Sequence, residues 1–211
     1  MLIVLSRIGT DEVIAVPYDN GEQQMLLIYT PGFDDTNLSD TEILSRIADW
    51  MKYMYDGGKR LSGILYLHRI SDQQMDGASM KNLRMFRGLC GENNLRNVIL
   101  ATTMWEKIDD AEGAAREEQL IGTFWKPMID NGSIVRRVST NPEDAKRLVK
   151  SFLNKETMVL KLQEELSSGK TLLQTDAGLA LKDEIDKITK RYAKDLAGAK
   201  EEMKQAYRTR K

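Results

Sequence analysis

Four short apolar runs limit what this chain can fold into. They are "QMLLIYT" (24–30), "LSGILYLH" (61–68), "NVILATT" (97–103) and "GSIVRRV" (132–138). Each has the length of a strand, and helical periodicity fills the stretches between them. In "LSDTEILSRIADWMKYMY" the residues Ile43, Ile47, Met51 and Met54 recur on one side, and Ser39 with Glu42 three positions on forms a capping box. "SMKNLRMFRGLC" and "AAREEQLIGTFWKPMI" also read as helices, with Pro127 placed to kink or end the second. "NPEDAKRLVKSFL" opens with Asn141 as N-cap and Pro142 at the first helical position. Upstream, "EVIAVPY" alternates and joins "QMLLIYT" through an Asn-Gly turn signal, which predicts a hairpin. Strands that alternate with helices after an opening hairpin predict an α/β fold: a mainly parallel sheet with helices on both faces. In such sheets ligands bind beyond the carboxyl ends of the strands. Three of those ends read "YTPG", "LHRISD" and "TTMW", all special where a bland loop would suffice.

From about Thr157 the pattern changes to charged helix, which divides the chain into a domain over 1–153 and a helical extension over 154–211. Leu181, Ile185, Ile188, Tyr192, Leu196, Ala199 and Met203 follow two eleven-residue repeats, the spacing of a straight or slightly right-handed coil. "SSGKT" (167–171) reads as a break between two helices. An apolar stripe on a charged helix predicts a protein partner or self-association.

The bulk numbers narrow the function classes. A net charge of −1 carries no field that calls for nucleic acid. The apolar start "MLIVLSRIG" is too short for a signal-peptide core or a membrane span, so a cytoplasmic protein without membrane contact is expected. The last eight residues carry four positive charges and no acid, which suits a solvated end better than a lipid-binding one. The single Cys90 follows a helical run and is expected to be a buried thiol. One histidine, His68, with no G-x-S-x-G motif, makes a poor hydrolase and no metal site. Trp105 could stack on a purine or cover the edge of the sheet, while Trp50 and Trp125 read as core.

Taken in order, "TPGFDDT", "SGILYLHRISD", "TTMW" and "FWKPMI" resemble the fungal AIG-type G-domain proteins, P-loop GTPases related to the immunity-associated and septin-like group. The resemblance covers roughly 10–153. It implies GTP as ligand with magnesium as its metal, and GTP hydrolysis as the family's activity. It places Thr10 at the first switch threonine, which ligates magnesium. Thr30 and Gly32 fall in the strand-end loop that senses the terminal phosphate, Gly32 through its backbone N–H. His68 stands at a strand end beside the nucleotide, and Thr102, Thr103 and Trp105 stand where N-K-x-D reads guanine. It further implies that the strand bearing the phosphate loop is central, between the 25–29 and 63–68 strands.

Two departures bear on activity. No G-x-x-x-x-G-K-[ST] occurs; "SSGKT" has only its last residues and lies after the sheet is complete. Tyr29 stands where the magnesium-side Asp is expected, and a phenol with a pKa near 10 is no anionic partner. Asp34 and Asp35 are the nearest substitutes. Losing three charge-assisted hydrogen bonds at about 1.5–3 kcal/mol each removes roughly three to six decades of affinity. The expectation is therefore a truncated or degenerate member with weak or absent GTP binding, its missing loop sought upstream of Thr10. The alternative is a non-catalytic interaction scaffold. Residues 2–6, "LIVLS", are expected to fill the central slot, leaving the sheet face near Leu26 and Ile28 under-covered.

Overall fold

The computed structural model describes residues 2–5, 12–19, 21, 24–30, 32, 38–72, 75, 77–182, 186 and 189–192, the side chains of 2–5 excepted. Six strands form one sheet: β1 (Leu2–Leu5), β2 (Ile14–Asp19), β3 (Gln24–Thr30), β4 (Gly63–Arg69), β5 (Val98–Thr103) and β6 (Ile134–Arg137). Their order is β2-β3-β1-β4-β5-β6, parallel throughout except for β2, which pairs antiparallel with β3. The helices are α1 (Asp40–Asp56), α2 (Gly77–Cys90), α3 (Asp110–Gln119), α4 (Lys126–Asp130), α5 (Pro142–Lys150), α6 (Lys161–Ser167) and α7 (Asp176–Leu179).

β1 fills the central slot as expected, pairing Leu2 with Leu27 on one side and with Gly63 on the other. The first strand of the fold is therefore present. Eight residues, 6–13, separate it from β2 in the chain. The phosphate loop and first helix that the resemblance implies would therefore stand between Leu5 and Ile14, and not upstream of the first strand.

The local signals act as the residues suggest. Ser39 and Glu42 cap α1 reciprocally, and the Asn141 side chain accepts from the Glu143 N–H at the start of α5. Pro127 does more than kink a helix. α3 runs into a wide π turn over Leu120–Phe124, after which Pro127 sits in the first turn of α4. Pro lacks an N–H, so the opening turn of a new helix is where it costs least.

The two faces of the sheet differ. Ile28, Ile64, Val98 and Leu100 point to one face, which α1, α2, the α3–α4 region, α6 and α7 cover in one continuous core. Leu27, Leu65, Ile99 and Ala101 point to the other, where Leu148 of α5 and Phe152 form the cover. Phe152 lies flat against Gly63, where any Cβ would sit 2.3 Å from the ring. The under-covered surface is on this second face, and not near Leu26 and Ile28. Ile28 is fully buried, whereas Ile14, Val16 and Tyr29 keep 43%, 41% and 38% of their surface exposed. They share a face because Ile14 pairs with Tyr29 and Val16 with Leu27.

The first part of the helical extension packs into the closed-face core. Met158 bridges to Leu61, and Leu160, Leu162, Ala177 and Leu181 are buried there. Asn97 Nδ2 donates to Ser62 O and Glu156 O at 3.1 and 2.8 Å, and Gln163 Nε2 donates to Met51 O at 3.1 Å. "SSGKT" is helix punctuation, as expected: Ser168 caps the end of α6, Lys170 pairs with Glu165 at 2.7 Å, and Thr171 starts a short turn. Of the apolar stripe, Leu181 is core and Tyr192 is exposed; Ile185, Ile188, Leu196, Ala199 and Met203 lie outside the described residues.

Candidate functional site at the carboxyl ends of the strands

Parallel register brings the ends of β3, β4, β5 and β6 to one edge. His68, Thr102 and Arg137 form one cross-strand row on the closed face, and Thr30 lies one row below it beside Leu5. The alternation of side chains puts all four on the same face. Thr30 is buried and Gly32 follows it, also buried. Thr10 lies outside the described residues, as do Asp34 and Asp35.

His68 is a strand residue and not a loop residue. Its buried ring packs edge-on against Trp125 at 5.9 Å, continuing a row of Phe86, Tyr66 and Trp125. Burial in an apolar stack explains the placement. Thr103 turns away from this row, and its hydroxyl donates to His68 O at 3.4 Å. Tyr29 points to the open face, opposite Thr30.

The densest polar cluster is at β5 and β6. Met104, with φ 62°, is the only described non-glycine residue in the left-handed region. This conformation costs about 1–3 kcal/mol and is held only where surrounding structure demands it. It turns the chain so that Trp105 folds back over the end of β5. Gly113 of α3 admits the ring, since a Cβ there would lie 2.8 Å from it. Trp105 Nε1 donates to Thr102 Oγ1 at 3.1 Å, and Thr102 donates to Glu117 Oε1 at 3.1 Å. Arg137 Nε and Nη2 both donate to Glu117 Oε2, at 2.8 and 2.5 Å. The Arg137 guanidinium lies over the Trp105 ring, 4.0 Å from its centre, and closes the circuit. Arg116, on the same helix, donates to Ile70 O and Asp72 O, tying the loop after β4 to this corner.

Glu117 and Arg137 escaped the sequence reading. Glu117 had a signal: it falls on the stripe of Gly113, Leu120 and Phe124, an acid where an apolar residue belongs. Arg137 is in phase with the half-buried Val135 of β6.

Among the described residues no three His, Cys, Asp or Glu side chains come together, and Tyr29 presents a phenol on the open face. The corner at β5 and α3 instead brings together an aromatic ring, a buried carboxylate and a hydroxyl.

No family model and no curated protein matches the chain. Solved structures do. Toc33 from Arabidopsis thaliana in complex with Mg2+ and GMPPNP superposes with a TM-score of 0.56 at 14% identity, over 75% of this chain and 87% of that one. A structure from work on the GTPase activity of chloroplast translocon components gives 0.57 at 12% identity, over 75% and 85%. The chain thus belongs to the class of α/β proteins with the fold of a P-loop GTPase domain. At this identity the likeness establishes the fold, and function has to be argued from the site.

Proposed function

We propose that this chain is a guanine-nucleotide-binding protein of the GTPase family that keeps the base side of the site and has lost the phosphate side. GTP binding and hydrolysis are then weak or absent. One observation carries the reading: β1 passes to β2 through eight residues, where a phosphate loop and its helix would have to stand. A nest of N–H groups, a helix N-terminus and a lysine are the usual means of holding β and γ phosphates. The position of Tyr29 supports the same reading. Titration calorimetry of the 211-residue chain with GTP and magnesium tests it. The expected Kd is no tighter than about 0.1 mM. A micromolar Kd overturns the reading. Tyr29→Asp alone should not restore binding, because the larger loss is the loop.

A second reading has its own support. Tyr192 is exposed on the apolar stripe of the C-terminal helix, and Leu173 and Leu179 are exposed near its start. Dimerization is important for the GTPase activity of the translocon components with this fold. The C-terminal helices would then serve self-association or a protein partner. Ile185→Asp with Ile188→Asp should shift the light-scattering mass of any assembly to that of the monomer and leave the thermal transition in place. Loss of the fold would mean that the stripe is core.

A further inference from the structure

We propose that Arg137 is a built-in plug in a receptor for a guanine base, and that Glu117 is the residue that reads the base. The inference rests on the nucleotide reading above and adds what the base side recognises and what keeps it shut.

The argument is one of chemical shape. Carbon 2 of guanine carries N1–H, N2–H2 and N3, so that edge of the base is itself a planar guanidine unit. Arg137 presents the same unit, and Glu117 Oε2 accepts two of its N–H groups while Oε1 is taken by Thr102. The guanidinium carbon lies over the Trp105 ring, 4.0 Å from its centre, where a stacked base would sit. The carboxylate and the platform come from the end of β5 and from α3, while the plug comes from β6. The receptor itself is fixed. Glu117 and Thr102 are buried, Met104 holds a conformation that only a directed turn requires, and Gly113 seats the ring. The plug is the loosest part, because the Arg137 side chain is 56% exposed and can swing into water.

Adenine lacks the donor pair on this edge, so Glu117 would face a ring nitrogen and an unfilled acceptor; the receptor discriminates against it. Phosphates add little, since the phosphate side is lost. Guanosine and GTP should therefore bind alike. If the plug stands open about a tenth of the time, its removal tightens guanosine binding about tenfold.

The test uses the full chain with Arg137→Ala, and with Arg137→Lys as a second variant that keeps the charge without the fork. Thermal melts check the fold of both. Binding of guanosine, GTP, adenosine and the guanidinium ion at low millimolar concentration is read from tryptophan fluorescence in a Trp50→Phe background. The expected result is at least a tenfold tighter Kd for guanosine in both variants, GTP within threefold of guanosine, no gain for adenosine, and saturable guanidinium binding. Glu117→Gln added to Arg137→Ala should abolish both the guanosine and the guanidinium signals. Guanidinium binding without guanosine binding would mean that the corner is an ordinary ion pair, which overturns the plug and leaves the nucleotide reading to calorimetry. An equal gain for adenosine, or no gain for either nucleoside, also overturns the plug. GTP binding tighter than guanosine by decades would instead sink the lost phosphate side and leave the plug standing.

Discussion

The two faces of the sheet are made from similar residues and end up in different environments. On the closed face, helices from between and after the strands meet in one core. On the open face, a single helix and Phe152 cover the half near Gly63, and Ile14, Val16 and Tyr29 meet water. The strands are alike in composition on both sides, so coverage is decided by the connections. Each β-to-β crossover from β3 onward carries a helix, and those helices all pack on the closed face. A sheet face is therefore only as buried as its connections allow, however apolar its sequence.

The largest effect should come from truncating the aromatic core on the closed face. Phe86→Ala should cost about 3–5 kcal/mol in urea unfolding, because its neighbours on α2, β4 and Trp125 cannot close the space. Phe152→Ala should cost less, near the lower end of that range, since solvent can enter from the open side. Equal costs would mean that the second face is as tightly sealed as the first.

A smaller effect is expected at Gly63. Gly63→Ala drives a methyl group into the Phe152 ring and toward Asn97 O, at 2.3 and 2.7 Å before relaxation. Overpacking of this kind costs about 1–3 kcal/mol. Combined with Phe152→Ala the two costs should fall short of their sum, a coupling seen only between residues in contact.

Cys90 tests the seal of the closed face by pH. Burial is the main cause that pushes its thiol well up, with Glu92 adding to it. The native state therefore holds the proton where the unfolded chain, near the ordinary thiol pKa of about 8.5, has released it. Stability from this group is complete below that pH and falls as pH rises through and above it. Cys90→Ala should flatten the alkaline arm of the stability curve. Alkylation of the native protein at pH 8 should be no faster than global unfolding; fast labelling would show the core to be open there.

The smallest effect should be at the open face itself. Ile14→Thr and Val16→Thr should each change stability by no more than about 0.5 kcal/mol, because both side chains already meet water. A larger loss would show that something covers them.

The fold could be read from the sequence because its signals are local. Periodicity, the Ser39–Glu42 cap and the Asn141–Pro142 start each act within a few residues. The central place of residues 2–5 was also legible, since an empty slot between two parallel strands would leave backbone groups unpaired. The parity of the open face was not, because it depends on which side the helices pack against. Tyr29 on β3 and Ile28 beside it look equally apolar in sequence. At the site, Trp105 and Thr102 were marked by an unusual strand end. Glu117 and Arg137 meet only because β6 lies beside β5 with Arg137 level with Thr102, a pairing across 35 positions that no local pattern encodes. The surroundings of His68 were hidden for a similar reason. A lone histidine at a strand end suggests a ligand, and the aromatic row that buries it is assembled from α2 and the segment before α4.

The position of β1 also bears on how the sheet comes together. Its partners are residues 27–30 and 63–66, so the middle of the sheet joins segments far apart in the chain, while the β2–β3 hairpin is local. Non-local pairing slows folding, since loop closure precedes any gain. The hairpin can form first, but its inner edge has no neighbour until β1 docks, and β1 gains its second neighbour only with β4. During folding that interval leaves an unpaired β3 edge beside the apolar row of Ile14, Val16 and Tyr29, a template for other chains. The central place of β1 thus also sets the moment at which the folding chain is most prone to aggregate.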